Sequence, residues 1–312
     1  MRLVLIILNN LNKTRISLLF SIVILFFTSC SKEEENMIYL DDTKSIQISE
    51  NISIENGIIL HDPIFNYKTY NDFLSYLASS DRFLIVEQKD FNKTISKDKV
   101  VISLRHDVDD NINSAIKFAY LEWKYGIKSS YFILHTASYY GETKFRYFKR
   151  NDDIKYYLKK IQDTFGHEVG WHNDLVTLQI IYGIDPKVFL KDELEWLRSS
   201  GLRIYGNVSH GSQYCDIYHY VNAYFWFEVI GSNSGNYCNW EYIKKGFTTY
   251  KIEKDSLKNY NLDYEGSFLH SDYFFSDSFW PGGKRWHMGM VNLDTIKPGK
   301  KVIILLHPQH WD

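Results

Sequence analysis

The sequence VVISLRHDVDD, residues 100–110, decides how the chain is expected to fold. Its largely apolar first half, 100–104, is the kind of short run that forms a buried strand, and the acidic side chains of Asp107 and Asp109 follow it closely. Apolar residues then recur at helical spacing over 112–123, and Gly126 marks the stop of that helix. This stretch predicts one βα unit with two carboxylates where the strand ends.

The same succession of strand and helix recurs along the rest of the chain. Alternating units of this kind build a parallel sheet that is covered by helices. We therefore expect an α/β fold, and within it a barrel that is complete or lacks one unit. Strand-like runs lie at 131–134, 169–171, 224–230, 247–252 and 302–306, another strand ends at Val208, and further helices are expected at 154–165 and 185–201.

Several of the expected strands lead directly into imidazole or carboxylate side chains. In a parallel barrel the carboxyl ends of all strands open on one face, and this is the face that carries active sites. One histidine after one strand is more often structural, whereas convergence from four or five distant segments indicates a site. The side chains that converge in this way are Asp107, Asp109, His135, His172, His210 and His307.

The chemistry of these side chains indicates a metal ion. Carboxylates and neutral imidazoles together suit a borderline divalent cation such as zinc. Three protein ligands leave one position open for a reactive water, and the expected site offers no thiolate. A catalytic cation lowers the pKa of water and polarises a carbonyl group, while a carboxylate takes up the proton. The pattern predicts metal-assisted hydrolysis with one divalent ion, for which zinc is the best match.

Three segments together resemble the motifs of a known family. They are ISLRHDVD at 102–109, GHEVGWH at 166–172 and LLHP at 305–308. In combination they resemble the polysaccharide deacetylase superfamily, the NodB-homology or carbohydrate esterase family 4 group, in the branch whose first motif reads RHDVD. The resemblance extends from about residue 67 onward. It implies a single distorted (β/α) barrel that uses a divalent metal to remove acetyl groups from N-acetylated sugars.

The resemblance also implies roles for the acids of the first motif. That motif supplies the family with a catalytic base and a metal-binding aspartate, and Asp107 matches the base. Val108 occupies the usual ligand position, so Asp109 is expected to bind the metal, with an exchange of the two roles left open. His307 matches the histidine of the last motif, which is suited to protonate the departing amine.

The expected metal-binding histidines depart from the family pattern. His172 matches the first of them, but Val176 stands four residues later, where the second histidine is normally found. We expect His210 to replace it as a ligand, with Asp174 as the alternative. With His210 as the replacement, the expected metal centre is Asp109, His172 and His210, and the resemblance implies Asp107 and His307 as the catalytic residues.

Other polar residues near the strands carry weaker signals. His167 and Glu168 stand at the start of their strand and are interpreted as structural. Arg105 is expected either to orient Asp107 or to pair with a core carboxylate. His135 is a candidate for lining the cleft.

The N-terminal segment is typical of a lipoprotein signal. Basic residues precede an apolar run at 16–27, which is short for a membrane span and right for the core of a signal peptide. FTSC at 27–30 resembles a lipobox and predicts lipidation of Cys30, and SKEEEN at 31–36 resembles the export tag of some surface lipoproteins. We expect a signal peptide at 1–29, a lipidated cysteine and flexible tether at 30–60, and a deacetylase-like catalytic domain at 61–312.

Charge and composition indicate which kinds of molecule the protein is expected to bind. The chain has 36 basic and 38 acidic residues, a formal net charge of −2, and no basic patch that would favour nucleic acid. Aromatic residues make up 17%, enough to fill strands or to stack on sugar rings, and 280–286 is a candidate aromatic loop near the site. We expect an N-acetylated glycan as substrate and a lipid-anchored position outside the cytoplasm, on either face of the bacterial outer membrane. Cys215 and Cys238 could form a disulfide there.

Three other functions are compatible with parts of this pattern. The same apparatus could hydrolyse a non-sugar amide or an O-acetyl ester. A glycosidase would need two carboxylates about 5–10 Å apart on either side of the bond, whereas Asp107 and Asp109 come from one loop. A catalytically silent glycan-binding lipoprotein would follow if the missing second histidine prevented metal binding.

Overall fold

Strand β4, Val100–Val108, lies at the centre of the fold and is buried along its whole length. Strand β14, Lys301–Leu306, pairs with it in parallel along one edge. On the other edge, β3 (Phe83–Ile85) pairs with the first half of β4, and β5 (Ser130–Leu134) pairs with the second half. Burial on both faces is typical of a strand in a parallel sheet.

The computed structural model describes residues 66–229, 241–278 and 291–311, together with the short paired strands β1 (Ile54–Glu55) and β2 (Ile58–Ile59). These residues belong to one compact unit, Asn51–Asp312. The expected signal peptide, Cys30, Cys238 and the segment 280–286 lie outside the described residues, whereas Cys215 has a free, buried thiol. Within the described ranges, no helix combines the length and the apolar character needed to cross a membrane.

The main sheet has eight strands, and all of their pairings are parallel. It adds β8 (Glu168–Asn173), β9 (Ile204–Ser209), β12 (Tyr264–Glu265) and β13 (Tyr273–Ser276) to the strands already named. The order is β12-β9-β8-β5-β4-β14-β13, with β3 beside β4. The sheet curls into a half-barrel. The expected α/β class is confirmed, and the curl is compatible with a (β/α) barrel.

The helix that follows β4, Ile112–Lys124, forms as its apolar spacing predicts. Asn111 caps its first turn by accepting a hydrogen bond from the backbone amide of Asn113 at 3.0 Å. Gly126 follows with a φ of +68°, a left-handed conformation that glycine adopts without steric cost. The helices of the described residues are α1 (Tyr67–Ser79), α2 (Gln88–Phe91), α3 (Ile112–Lys124), α4 (Ile154–Lys159), α5 (Leu175–Tyr182), α6 (Pro186–Ser199) and α7 (Gln213–Tyr218).

The helices expected at 154–165 and 185–201 are also present. Helix α4 continues as a π-helix, Lys160–Thr164, so the two together account for the first apolar stripe. Helix α6 begins at Pro186, and the Asp185 carboxylate accepts hydrogen bonds from two backbone amides of the first turn. Proline is well suited to this position because its missing N–H has no partner within the helix.

The strand expected at 224–230 is not formed. Over the described residues this run lies in two 3₁₀ helices, Asn222–Phe225 and Phe227–Val229. Its aromatic residues Tyr224, Phe225 and Trp226 are fully buried. A short apolar run satisfies burial in either conformation, so its composition did not determine a strand.

The strand expected at 247–252 belongs to a hairpin and not to the main sheet. It is β11 (Thr248–Lys251), which pairs antiparallel with β10 (Tyr242–Lys245). Only a tight turn separates these strands, and a connection that short joins antiparallel neighbours only. A second hairpin consists of β6 (Gly141–Lys144) and β7 (Tyr147–Arg150).

Candidate active site

The carboxyl ends of β4, β8, β9 and β14 bring the five predicted site residues together. His172 Nε2 lies 3.2 Å from Asp109 Oδ1 and 3.4 Å from Asp107 Oδ2. His307 Nε2 lies 3.6 Å from Asp109 Oδ2. The ring centroids of His172 and His210 are 5.1 Å apart. Because the strands run in parallel, residues far apart in sequence meet at one edge of the sheet.

Asp109, His172 and His210 form a group that could hold a metal ion, with one donor atom from each within 4.8 Å of the others. Asp109 Oδ1 is buried and has no hydrogen-bond partner in the part of the chain that the structure describes. His172 Nδ1 lies 3.1 Å from the carbonyl oxygen of Val208 and donates to it, which leaves Nε2 for an ion. One carboxylate and two imidazoles are ligands that zinc accepts, so these residues fit the expected ion.

Asp107 is paired with Arg105 in the interior of the sheet. Arg105 Nε donates to Asp107 Oδ1 at 2.8 Å, and a terminal nitrogen of the same guanidinium donates to Oδ2 at 2.6 Å. Burial alone would raise the pKa of Asp107, but the Arg105 charge and His172 lower it below its ordinary value. Of the two roles considered for Arg105, the pair with Asp107 is the one observed.

His307 is supported by a buried carboxylate, Asp277, which follows β13. His307 Nδ1 and Asp277 Oδ1 are 2.6 Å apart, and the backbone amide of His307 also donates to this carboxylate. Trp311 Nε1 donates to Asp277 Oδ2 at 2.8 Å. Burial disfavours the charged imidazole, but Asp277 more than offsets this and raises the pKa of His307 to about 9. His307 Nε2 is then the proton-bearing atom that faces the candidate metal ligands Asp109, His172 and His210.

Asp277, His307 and His310 form a second group whose donor atoms lie within 4.8 Å of one another. Both oxygens of Asp277 already accept hydrogen bonds, from His307 and from Trp311. An ion placed there would have to displace these donors. The carboxylate is better suited to hold His307 than to ligate a metal.

Asp174 lies behind His210 and belongs to neither group of donors in the described ranges. Its Oδ1 is 3.4 Å from His210 Nδ1 and accepts a hydrogen bond from Asn222 Nδ2 at 2.8 Å. Thr136 Oγ1 donates to Oδ2 at 2.7 Å. Burial disfavours a charged His210, but Asp174 more than offsets this and raises its pKa to about 9. Of the two alternatives for the third ligand, His210 is the one grouped with Asp109 and His172.

Val176 occupies a core position on α5. Its side chain is fully buried in the main hydrophobic cluster, and its backbone amide donates to Asn222 Oδ1 at 3.0 Å. The helix that would carry the family's second histidine thus contributes packing here. The third donor comes instead from the end of β9.

His135 and His167 lie apart from the metal group. His135 is fully buried, its Nε2 accepts the backbone amide of Asp174 at 3.0 Å, and its ring stacks on Trp171 with centroids 4.8 Å apart. Burial lowers the pKa of His135 to about 3. His167 Nε2 lies 2.9 Å from the carbonyl oxygen of Ala119 on α3, an arrangement that joins helix to sheet.

Sequence reasoning did not identify Asp277 or Glu265. Each follows or ends a strand of the main sheet that is too short to be predicted from its sequence pattern, so the rule that polar residues at strand ends form the site had no strand to apply to there. Glu265 is buried at the end of β12, and its carboxylate accepts the backbone amide of Ser209 at 3.1 Å. Burial raises the pKa of Glu265 to about 7. This contact fixes the end of β9 immediately before His210.

Comparison with known proteins gives no family for this chain. No family model matches it, and neither a curated protein nor a solved structure does. The functional assignment therefore depends on the site residues and their contacts.

Proposed function

We propose that this chain is a metal-dependent hydrolase that removes acetyl groups from an N-acetylated sugar, as in the polysaccharide deacetylase superfamily. One observation carries the proposal. A group of two imidazoles and a carboxylate lies beside two proton-transfer residues, Asp107 and His307, and each of these has its own buried partner of opposite charge. A site that only bound a structural ion would not need these pairs.

The ion would be held by Asp109, His172 and His210. When bound, it would supply Lewis-acid chemistry, polarising the acetamide carbonyl and making a water more acidic. The oxygen and nitrogen donors and the three-residue set are typical of zinc sites that retain an open position. The metal-binding part of the proposal is supported by Asp109 Oδ1, which is buried, makes no hydrogen bond among the described residues and lies 3.2 Å from His172 Nε2, another donor atom of the group.

Asp107 is suited to act as the general base. Its pair with Arg105 keeps it ionised at neutral pH, so it can accept a proton from the attacking water. The Arg105 guanidinium occupies one side of the carboxylate and restricts its rotation. Asp107 Oδ2 also lies 3.4 Å from His172 Nε2, which puts the base next to the ligand set.

His307 is suited to act as the general acid. Asp277 holds its Nδ1 and favours the protonated imidazole, so that Nε2 can donate a proton to the sugar amine. As the carbon–nitrogen bond breaks, nitrogen takes the bonding pair together with this proton. The products are acetate and a glucosamine-type amine, and the two protons balance because Asp107 has gained one from water.

We also propose that the enzyme works outside the cytoplasm, anchored through a lipid on Cys30. The support is the sequence pattern alone, namely a basic start, an apolar run at 16–27 and FTSC at 27–30. An N-acetylated glycan of the cell envelope or of the surroundings would then be within reach.

Acetate release tests the proposed activity. Purified protein loaded with zinc should release acetate from at least one member of a panel of N-acetylated oligosaccharides, and chelation should abolish the release. Parallel assays with O-acetylated sugars and with simple acetamides separate deacetylation of an amine from the ester and non-sugar alternatives. Stoichiometric zinc without turnover on any of these substrates would favour a catalytically silent glycan-binding protein.

A further inference from the structure

His210, which directly follows β9, is hydrogen-bonded through its backbone and faces a carboxylate with its ring. The backbone amide of His210 donates to Asn173 O at 2.8 Å, and its carbonyl oxygen accepts from Asn222 Nδ2 at 2.9 Å. The ring Nδ1 is buried and makes no hydrogen bond among the described residues, but it lies 3.4 Å from Asp174 Oδ1, within ion-pair distance. The backbone of His210 is thus fixed by hydrogen bonds, and the Asp174 carboxylate is the charged group that its ring Nδ1 faces.

Asp174 is itself held in place by hydrogen bonds with two parts of the chain, the adjacent residues His135 and Thr136 and the distant Asn222. Thr136 and Asn222 each donate to one of its oxygens, and its backbone amide donates to His135. Asp174 is only 2% exposed. To ligate an ion directly, the carboxylate would have to give up these hydrogen bonds and turn away from His210.

Asn222 connects this carboxylate to the start of α5. Its Oδ1 accepts the backbone amides of Val176 and Thr177 at 3.0 and 3.2 Å, while its Nδ2 donates to Asp174 and to the His210 carbonyl. The Asn222 side chain therefore links the first turn of α5, where Val176 replaces the expected histidine, to the loop that carries His210. Asp174 and Asn222 thus both contact His210, through its ring and its carbonyl oxygen respectively.

We infer that Asp174 is a positioning residue of the metal centre, which orients His210 through Nδ1 so that Nε2 binds the ion. The inference rests on the proposed function, because it takes His210 as a ligand. A metal-binding histidine commonly donates its other ring N–H to a carboxylate, which fixes the tautomer and raises the basicity of the ligand nitrogen. Loss of such a partner typically weakens metal binding by about 10–100-fold.

The first measurement is the zinc affinity of the whole chain, obtained by competition with a chromogenic chelator. Asp174→Asn keeps the shape of the side chain but removes its charge, and we expect zinc affinity to fall about 10–100-fold. Glu193→Gln is the matched control. Glu193 is also a buried carboxylate, held by Tyr140 and Arg150, but it lies on α6 outside the site. This control should keep wild-type zinc affinity even if it lowers thermal stability.

The second measurement asks which nitrogen of His210 binds zinc. Long-range ¹⁵N–¹H NMR of histidine-labelled, zinc-loaded protein reports the state of each ring nitrogen, and His210→Gln assigns the signal. We expect zinc on Nε2 and a proton retained on Nδ1. A purely structural role for Asp174 would not require this arrangement.

The outcomes separate the inference from the proposed function. If the wild-type protein does not bind zinc, the ligand set fails and the proposed function with it. If it binds zinc but Asp174→Asn binds equally well, or His210 ligates through Nδ1, the positioning role alone is overturned. If Asp174→Asn does not fold, Thr136→Val removes one hydrogen bond to Asp174 instead. A several-fold loss of zinc affinity in that variant supports the inference, and wild-type affinity overturns it.

Discussion

Asp107 and Asp109 are two residues apart in sequence but have different surroundings. Asp107 is 3% exposed and engages Arg105 through both oxygens, whereas the Asp109 carboxylate faces His172 and His307. Asp107 lies near the end of β4 and Asp109 directly follows the strand, and both carboxylates lie within 3.4 Å of His172 Nε2. A carboxylate neutralised by a guanidinium is a weak metal ligand, so Asp109 is the better donor of the two.

The first prediction concerns the base. Asp107→Asn should keep stoichiometric zinc and lose roughly 10²–10⁴ in turnover, because an amide cannot accept the proton of the attacking water. Metal content by atomic spectroscopy and acetate release on the same preparation provide the measurement. Loss of zinc from this variant would show that Asp107 is itself a ligand.

The second prediction concerns the ligands. Asp109→Asn and His172→Ala should both lower zinc occupancy, since each removes one of three donors. Activity of Asp109→Asn should return in part when zinc is supplied in excess. Full occupancy in Asp109→Asn combined with loss of zinc from Asp107→Asn would mean that the two aspartates have exchanged roles.

The third prediction concerns pH and the pair of His307 with Asp277. The pKa of His307 is raised from 6.5 to about 9, so protonation of the folded protein adds stability below pH 6.5 that is lost as pH rises through about 9. A shift of this size corresponds to roughly 3 kcal/mol. Asp277→Asn should therefore lower the unfolding free energy of the metal-free protein at pH 6 and flatten its decline toward pH 10. His270→Ala, at an exposed position, is the control for urea unfolding at both pH values. An unchanged pH profile in Asp277→Asn would contradict the pairing.

At the scale of elements, neighbouring strands leave no room for a side chain at Gly170 on β8. A Cβ there would lie 2.4 Å from Phe132 Cε1 and 3.0 Å from the carbonyl oxygen of Gly206. Gly170 is adjacent to the strand end that supplies His172. A side chain at this position, two residues before the proposed ligand His172, would therefore displace Phe132 or the backbone of β9.

The fourth prediction follows from this packing. Gly170→Ala should destabilise the fold by about 1–3 kcal/mol, the usual cost of overpacking a filled interior, and should also weaken zinc binding. Gly211→Ala is the matched control, because a Cβ at Gly211 meets no atom within 4 Å. Urea unfolding of the two variants gives the comparison. Equal stability would mean that the strands separate easily at Gly170.

The sequence was most informative where strands are long. The nine-residue β4 and the six-residue β14 have apolar runs that predict both the strand and the polar residue at its end. Strand β12 has only two residues and β13 has four, too few for a periodic signal, so Glu265 and Asp277 were missed. Their partners, Ser209 and His307, are distant in sequence, and only the folded sheet brings them together.

At the scale of the whole molecule, alternation of strand and helix predicted a parallel sheet but not how far it curls. Curl depends on the register and twist between strands, and these are set by contacts between distant residues. The same limit applies to the site. Because the sequence lacks the second histidine of the family pattern, it left His210 and Asp174 as candidates for the third ligand, and only the position of Asp174 behind His210 distinguishes them.

The fifth prediction concerns the proposed lipid anchor. Cys30→Ser removes the thiol that lipidation requires, so the variant should leave the membrane fraction when cells are broken. Zinc content and thermal stability should match those of the wild type, because every residue of the candidate site lies beyond residue 100. Immunoblots of fractionated cells provide the measurement. Tight membrane association of Cys30→Ser would contradict the lipobox interpretation.

The position of β14 has a consequence for biosynthesis. This strand is formed by residues 301–306 but lies in the interior of the sheet between β4 and β13, about 200 residues from its partner in β4. A chain that emerges from its N-terminus cannot complete the sheet until this late segment is available, and contacts of such long range form slowly. Until then β4 has an open edge, and His307 is absent from the site. A chain still being synthesised is therefore prone to mispairing at this edge, and the proposed site is complete only after the last strand has inserted.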